Sequence, residues 1–354
     1  MDSRITKLAQ ILTEYSCKVK KGDKVLIAGG IPARPLINEC YKMIIKKGGF
    51  PSLRINLPET NKTLFDIGND EQIGYKDPVR KFQYEGLDAI INISAPENVK
   101  IFSNVPPEKQ VIMTKANKEI LDIIMKKNWV TVNFPTEALA QEAGMSLEEY
   151  ENFVYKATNI DWENAKYEME KIKKLFDSGK KVRILGRDTE INFSIEGRQG
   201  IVCAGENNMP DGEVFYSPIE NSVNGQIYYE FPAIYQGREV EGIKLVFKDG
   251  KVVEATASKN EDFLHAILDT DEGSRFLGEF GIGTNYGITK YTKDILFDEK
   301  IGGTIHLAVG QSYEDSGGKN ISAVHWDMVK DLRKYGQIFL DGKLVQQNGK
   351  FLAI

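Results

Sequence analysis

Three histidines occur in the 354-residue chain. Two of them, His306 and His325, fall in one Gly-punctuated stretch, GGTIHLAVGQSYEDSGGKNISAVHWDMV, at residues 302–329. TIHLAV is rich in β-branched and apolar residues, which predicts a strand with His306 on one face at its middle. AVHWDMV predicts a second strand, on which His325 and Asp327, two residues apart, share a face. A neutral imidazole and a carboxylate projecting together are typical ligands of zinc, cobalt or manganese. The competing reading of each histidine is a hydrogen-bonded core residue. Two carboxylates upstream sit in apolar company: Glu213 follows a turn in NNMPDGEVFYSP, and Glu279 lies between glycines in FLGEFGIGTN. Burying such groups costs several kcal/mol unless something neutralises them. Glu213, Glu279 and Asp327 carry three negative charges, which two divalent ions and one bound hydroxide would bring to zero. Taken singly, either glutamate could instead cap a turn. Serine chemistry has no support, since no GxSxG elbow occurs. His265, on the apolar side of DFLHAILD, has no comparable acidic partner and reads as structural.

The elements that must position these groups divide into two patterns. Over the first half, short β-rich runs alternate with helical periodicity. KVLIAGG (24–30), FPSLRINL, LDAIINISA (87–95), QVIMT and WVTVNF (129–134) read as five strands, with helices at Arg34–Lys47 and KEILDIIMKK. This predicts an α/β amino-terminal domain with an open parallel sheet, flavodoxin-like or Rossmann-like. Such a sheet invites a nucleotide-binding reading. The turn after the first strand, AGGIPARP, lacks GxGxxG spacing, however, and its prolines do not suit a phosphate-cradling helix start. Two scaffold helices follow, the first opened by a Ser146/Glu149 capping box and the second near Asp161. From KKVRILGRDTEINFSIEGRQ onward period-2 alternation takes over, with hairpin turns at Asp249-Gly250, Asp341-Gly342 and Asn348-Gly349. The expected organisation is a structural or substrate-covering α/β domain at 1–179 and an α+β, mainly antiparallel catalytic domain at 180–354.

Composition narrows the partners. A formal net charge of −5, with Lys and Arg scattered along the chain, provides no basic field for nucleic acid. No apolar run is long enough to span a bilayer, and the first residues lack a signal-peptide pattern, so no membrane association and a cytoplasmic location are expected. Cys17, Cys40 and Cys203 are widely spaced and lack a CxxC pairing, which predicts reduced thiols without a metal or redox role.

Four segments, NMPDGEVFYSP, GEFGIGTN, LFDEKIGGTIHLAVGQSY and SAVHWDMV, resemble the metal-site segments of the thermophilic-type metallo-aminopeptidases, the aminopeptidase T and aminopeptidase S group. The likeness also takes in FPTEALAQEAGMSLEEY and covers most of the chain in order. It implies that two divalent ions are held by Glu213, Glu279, His306, His325 and Asp327. One of the two glutamates would also act as general base, and Tyr313 would be the catalytic tyrosine. The segment between His306 and His325 looks shorter than in bacterial members, which bears on the loop that shapes the specificity pocket. The activity implied is release of amino-terminal residues from peptides with a free amino terminus. A homodimer is also implied, with the first domain walling off the active-site cavity. Three other readings are a different two-metal amide or dipeptide hydrolase, a catalytically silent metalloprotein, and a nucleotide or small-ligand binder acting through the amino-terminal sheet.

Overall fold

The structure is a computed structural model that describes residues 2–352. The chain forms two compact units, one of Met1–Asn159 with Gly205–Pro210, the other of Ile160–Ala204 with Asp211–Ile354. The change of pattern expected near Gly179 marks the end of a helix, Trp162–Asp177. That helix belongs with the second unit, because Met169, Ile172 and Phe176 join its core.

The first unit is built on a five-stranded parallel sheet. Its order is Phe50–Asn56, Lys24–Gly30, Ala89–Ser94, Asn128–Asn133 and the short Asn208–Met209. Val25, Leu26, Ile27 and Ala28 are all buried, as expected of a parallel strand covered on both faces. The turn after it is a 3-10 turn, Ile31–Ala33, leading into the helix Arg34–Lys47. Pro35 fits the helix start, where its missing N–H costs no internal bond, and Gly48 ends the helix at a φ of 79°. Three further helices, Pro58–Ile67, Asp70–Ile73 and Pro78–Glu85, fill the crossover between the strands Phe50–Asn56 and Ala89–Ser94.

One strand expectation fails here. QVIMT, residues 110–114, lies inside an 18-residue helix, Pro107–Ile124, as do most of the residues of KEILDIIMKK. Its apolar run is too short to separate a strand from a buried helix turn by periodicity. Ile112 and Met113 pack on Phe65, Ile73 and Val105, while the Thr114 hydroxyl donates back to the Gln110 carbonyl at 2.9 Å. Ser146 and Glu149 form the expected capping box of Leu147–Thr158.

The second unit contains two larger antiparallel sheets. The eight-stranded one has the order Lys251–Thr256, Lys244–Lys248, Asn224–Tyr228, Thr189–Ser194, Lys181–Gly186, Gln337–Leu340, Lys343–Gln347 and Lys350–Phe351. All three expected hairpin turns are present, each with both residues at positive φ, the geometry a two-residue turn needs. The five-stranded one runs His325–Asp331, Thr304–Gly310, Leu277–Gly283, Glu213–Tyr216, Ile201–Cys203. Their inner faces share one core, in which Phe193 meets Phe280 with ring centroids 5.0 Å apart. Among the described residues no helix is long and apolar enough to cross a membrane.

Candidate metal centre

Strand alternation in the five-stranded sheet sorts its residues. Val214, Tyr216, Phe280, Ile282, Ile305, Leu307, Val309, Trp326 and Met328 enter the shared core. The intervening positions put Glu213, Glu279, His306, His325 and Asp327 on the opposite face. Strict alternation from the core residue Leu277 would have turned Glu279 inward. A bulge between Leu277 and Glu279 resets the phase, so that Glu279 pairs with Ala308 and Phe280 with Leu307. Gly278 permits it, since a Cβ there would collide with the carbonyls of Gly310 and Gln311. Gly281, directly opposite His306 in the ladder, leaves room for the imidazole, because a Cβ there would overlap the ring.

The five side chains converge. His306 Nε2 lies 3.1 Å from Glu279 Oε1 and 3.5 Å from Glu213 Oε2. His325 Nε2 lies 3.3 Å from Glu279 Oε2 and 3.5 Å from Asp327 Oδ2. Glu279 thus spans the two histidines, one oxygen to each. Each ring also uses Nδ1 on a backbone carbonyl, His306 on Glu299 at 3.1 Å and His325 on Gln311 at 2.9 Å. A carbonyl can only accept, so both Nδ1 atoms carry hydrogen; Nε2 of each ring then donates to the carboxylates when the imidazole is protonated and offers its lone pair to an ion once that proton has left. Metal-bound histidines are commonly oriented in this way.

Burial and charge oppose each other throughout the cluster. Burial disfavours charge on His306, but its bond to Glu279 and the nearby carboxylates push it up to about 10, and His325 is raised by Asp327 and Glu279 against the same burial. Glu279 is also buried, yet bonds from both histidines hold it below the usual carboxylate range. Asp327 is lowered against burial to about 2, chiefly by His325. Burial prevails at Glu213, which is pushed up to about 8 despite Lys300.

Two neighbours escaped the reading of the sequence. Glu299, just after the short helix Ile295–Asp298, offers a ligand atom grouped with those of His306 and Asp327. Lys300, fully buried, is bonded to Glu299 and lies 3.7 Å from Glu213 Oε1. A Glu-Lys pair ahead of a Gly-Gly turn has the pattern of a solvated surface turn. The signal lay in its being only seven residues before His306, whose Nδ1 the Glu299 carbonyl receives. Tyr313 follows the His306 strand, its ring centroid 5.2 Å from that of His325 and 5.1 Å from that of Phe215, and is 42% exposed. Tyr313, His325 and Asp327 form the solvent-reaching edge of the cluster, while Glu213, Glu279 and His306 are buried. His265 lies on the helix Glu261–Leu268 and takes no part in these groupings.

The donor set suits divalent cations. Ligand atoms of Glu213, Glu279 and His306 lie within 4.8 Å of one another, as do those of Glu279, His325 and Asp327, so two trios share Glu279. Glu213 Oε2 and Asp327 Oδ1 are buried with no hydrogen-bond partner, a condition that costs free energy unless a ligand is received there.

The second unit is thus a β-sandwich with a carboxylate–imidazole cluster on the outer face of one sheet, a donor set of the kind that holds divalent metal ions. The sequence pattern of the thermophilic metalloproteases (M29) matches residues 1–351, and the chain belongs to that family. Among relatives, Aminopeptidase 2 of Geobacillus stearothermophilus is 24% identical, covering 93% of this chain and 92% of that protein. Aminopeptidase T of Thermus aquaticus is 29% identical, covering 88% and 85%. The solved structure of wild-type AmpT from Thermus thermophilus shares the fold with a TM-score of 0.84 at 24% identity, covering 99% of each chain.

Proposed function

We propose that this chain is an aminopeptidase that removes residues one at a time from the amino end of peptides, and that Glu213, Glu279, His306, His325 and Asp327 hold two divalent ions for the purpose. The observation that carries the reading is the pair of ligand trios sharing Glu279, which would put the Glu279 carboxylate within reach of both ions. Zinc, cobalt or manganese fit the mixed oxygen and nitrogen donors. When bound, the ions supply a Lewis acid that lowers the pKa of water and polarises the scissile carbonyl.

The side chains supply the rest. Glu213 combines an unpartnered Oε2 with the raised basicity that burial confers, and serves as the general base that takes the proton of the attacking water. Substrate enters at the edge formed by His325, Asp327 and Tyr313. The Tyr313 hydroxyl donates to the developing oxyanion, a contact of a kind that contributes about 3–4 kcal/mol. The free α-amine meets the carboxylate-rich cluster, which selects the chain end over an internal bond. A homodimer in the cytoplasm completes the reading.

Acetylation tests the exopeptidase assignment, because it removes the charge and the lone pair of the amine. A tetrapeptide followed by mass spectrometry should lose single residues stepwise from its amino end, and its acetylated form should stay intact. Cleavage of the acetylated peptide at a comparable kcat/KM would eliminate the aminopeptidase reading and leave a different amide hydrolase. Prolonged chelation should abolish activity and zinc, cobalt or manganese restore it. Full turnover by verified metal-free protein would remove the metal from the account.

A further inference from the structure

Lys300 is fully buried, and an ammonium so placed is tolerated only beside acid. It has more acid than one charge needs. Its Nζ is bonded to the Glu299 carboxylate and lies 3.7 Å from Glu213 Oε1, and the buried Asp211 acts on it electrostatically as well. Cys203 sits across the ladder from Glu213. Ligand atoms of Cys203, Asp211 and Glu213 lie within 4.8 Å of one another, the same closeness found in the two trios assigned to ions above. A thiol with two carboxylates is a competent donor set for zinc or cobalt. The Glu299–His306–Asp327 group draws His306 and Asp327 from the ligands already assigned, whereas this trio adds two donors of its own, Cys203 and Asp211, and the lysine ammonium acts on all three of its members.

We propose that Lys300 is the built-in cation of the site: its ammonium holds Glu213 and Glu299 and excludes a third divalent ion from the Cys203–Asp211–Glu213 trio, fixing the ion count at two. The charge balance agrees for the resting site, in which the bound molecule is counted as neutral water. Asp211, Glu213, Glu279, Glu299 and Asp327 bring five negative charges, and two divalent ions with one lysine bring five positive ones. Engagement of Oε1 by Lys300 leaves Oε2 of Glu213 as the oxygen turned toward His306. Without the lysine, one negative charge is left over beside a thiol whose proton a soft cation displaces into solvent. The proposal rests on the two-ion reading, and the experiment separates the two.

Full-length wild type and Lys300→Met would be loaded with cobalt, freed of unbound ion and analysed for metal content and near-ultraviolet absorption. Wild type should hold two ions per chain with no thiolate-to-cobalt charge-transfer band. Lys300→Met should hold three and show the band, and adding Cys203→Ala should remove both the third ion and the band. Lys300→Arg, which keeps the charge, should stay at two. An unchanged ion count with no band in Lys300→Met overturns the proposal. So does a thiolate band in wild type given excess cobalt, a measurement that needs no variant to fold. A wild type holding fewer than two ions defeats the two-ion reading, and the band on removal of the lysine charge still judges Lys300 separately.

Discussion

The two faces of the five-stranded sheet are made by alternate residues of the same strands, and burial has opposite consequences on them. On the inner face Phe280, Leu307 and Met328 are buried among apolar side chains of the facing sheet, and removal from water stabilises the fold. On the outer face their sequence neighbours Glu279, His306 and Asp327 lose hydration without gaining an apolar partner, and the cluster holds shifted protons and two unpartnered carboxylate oxygens. Stability and chemistry are therefore separated by one residue along the chain, and the Gly278 bulge puts Glu279 on the chemical side.

Adjacent substitutions should split these roles. His306→Ala removes a proposed ligand and should reduce metal content and abolish most of the activity, because affinity depends on the complete ligand set. Leu307→Ala, one residue away and fully buried, should cost about 2–5 kcal/mol of stability while the folded fraction keeps its metal. Denaturant unfolding beside metal analysis reads both, and a Leu307→Ala protein that folds well but has lost its ions would break the division of faces.

A smaller effect is expected at the edge of the cluster. Tyr313→Phe should retain both ions while kcat falls by about 100-fold to 1,000-fold. A rate within a few-fold of wild type would assign Tyr313 to packing against Phe215 and His325.

Much of this division is legible in the sequence. The i, i+2 spacing of His325 and Asp327 and the hairpin signals Asp249-Gly250, Asp341-Gly342 and Asn348-Gly349 act through local geometry that each segment carries by itself. The sense in which Glu279 points is different, because it depends on a bulge defined only against the partner strand. Glu299 and Lys300 carry the residue types of a surface turn, and only tertiary burial turns them into part of the site. QVIMT looks like a strand because β-branched and apolar residues also suit a helix whose buried side is set by contacts with Phe65 and Ile73.

The smallest effect expected is the pH dependence of metal uptake. In the metal-free protein His306 is raised to about 10 and Glu213 to about 8, so at neutral pH both hold protons that ligation must displace. For His306 the sign is that of a raised group. The stabilisation of the metal-free fold by its protonated form is present below about 6.5, the unfolded value, and is lost as pH rises through about 10. Metal affinity runs the other way and should rise between pH 6 and 8 by about tenfold per pH unit for each proton released. Zinc titrations in buffers of different ionisation enthalpy count those protons, and a pH-independent affinity would contradict the assignment of these two residues as ligands.

The central claim is that Glu279 joins two ions on the outer face of this sheet. Anomalous diffraction at the zinc edge from zinc-loaded crystals tests it most directly. The account predicts two peaks flanking the Glu279 carboxylate, each about 2.0–2.2 Å from one of its oxygens, with His306 on one ion and His325 on the other. A single peak, or two peaks neither of which is bound by Glu279, would contradict it.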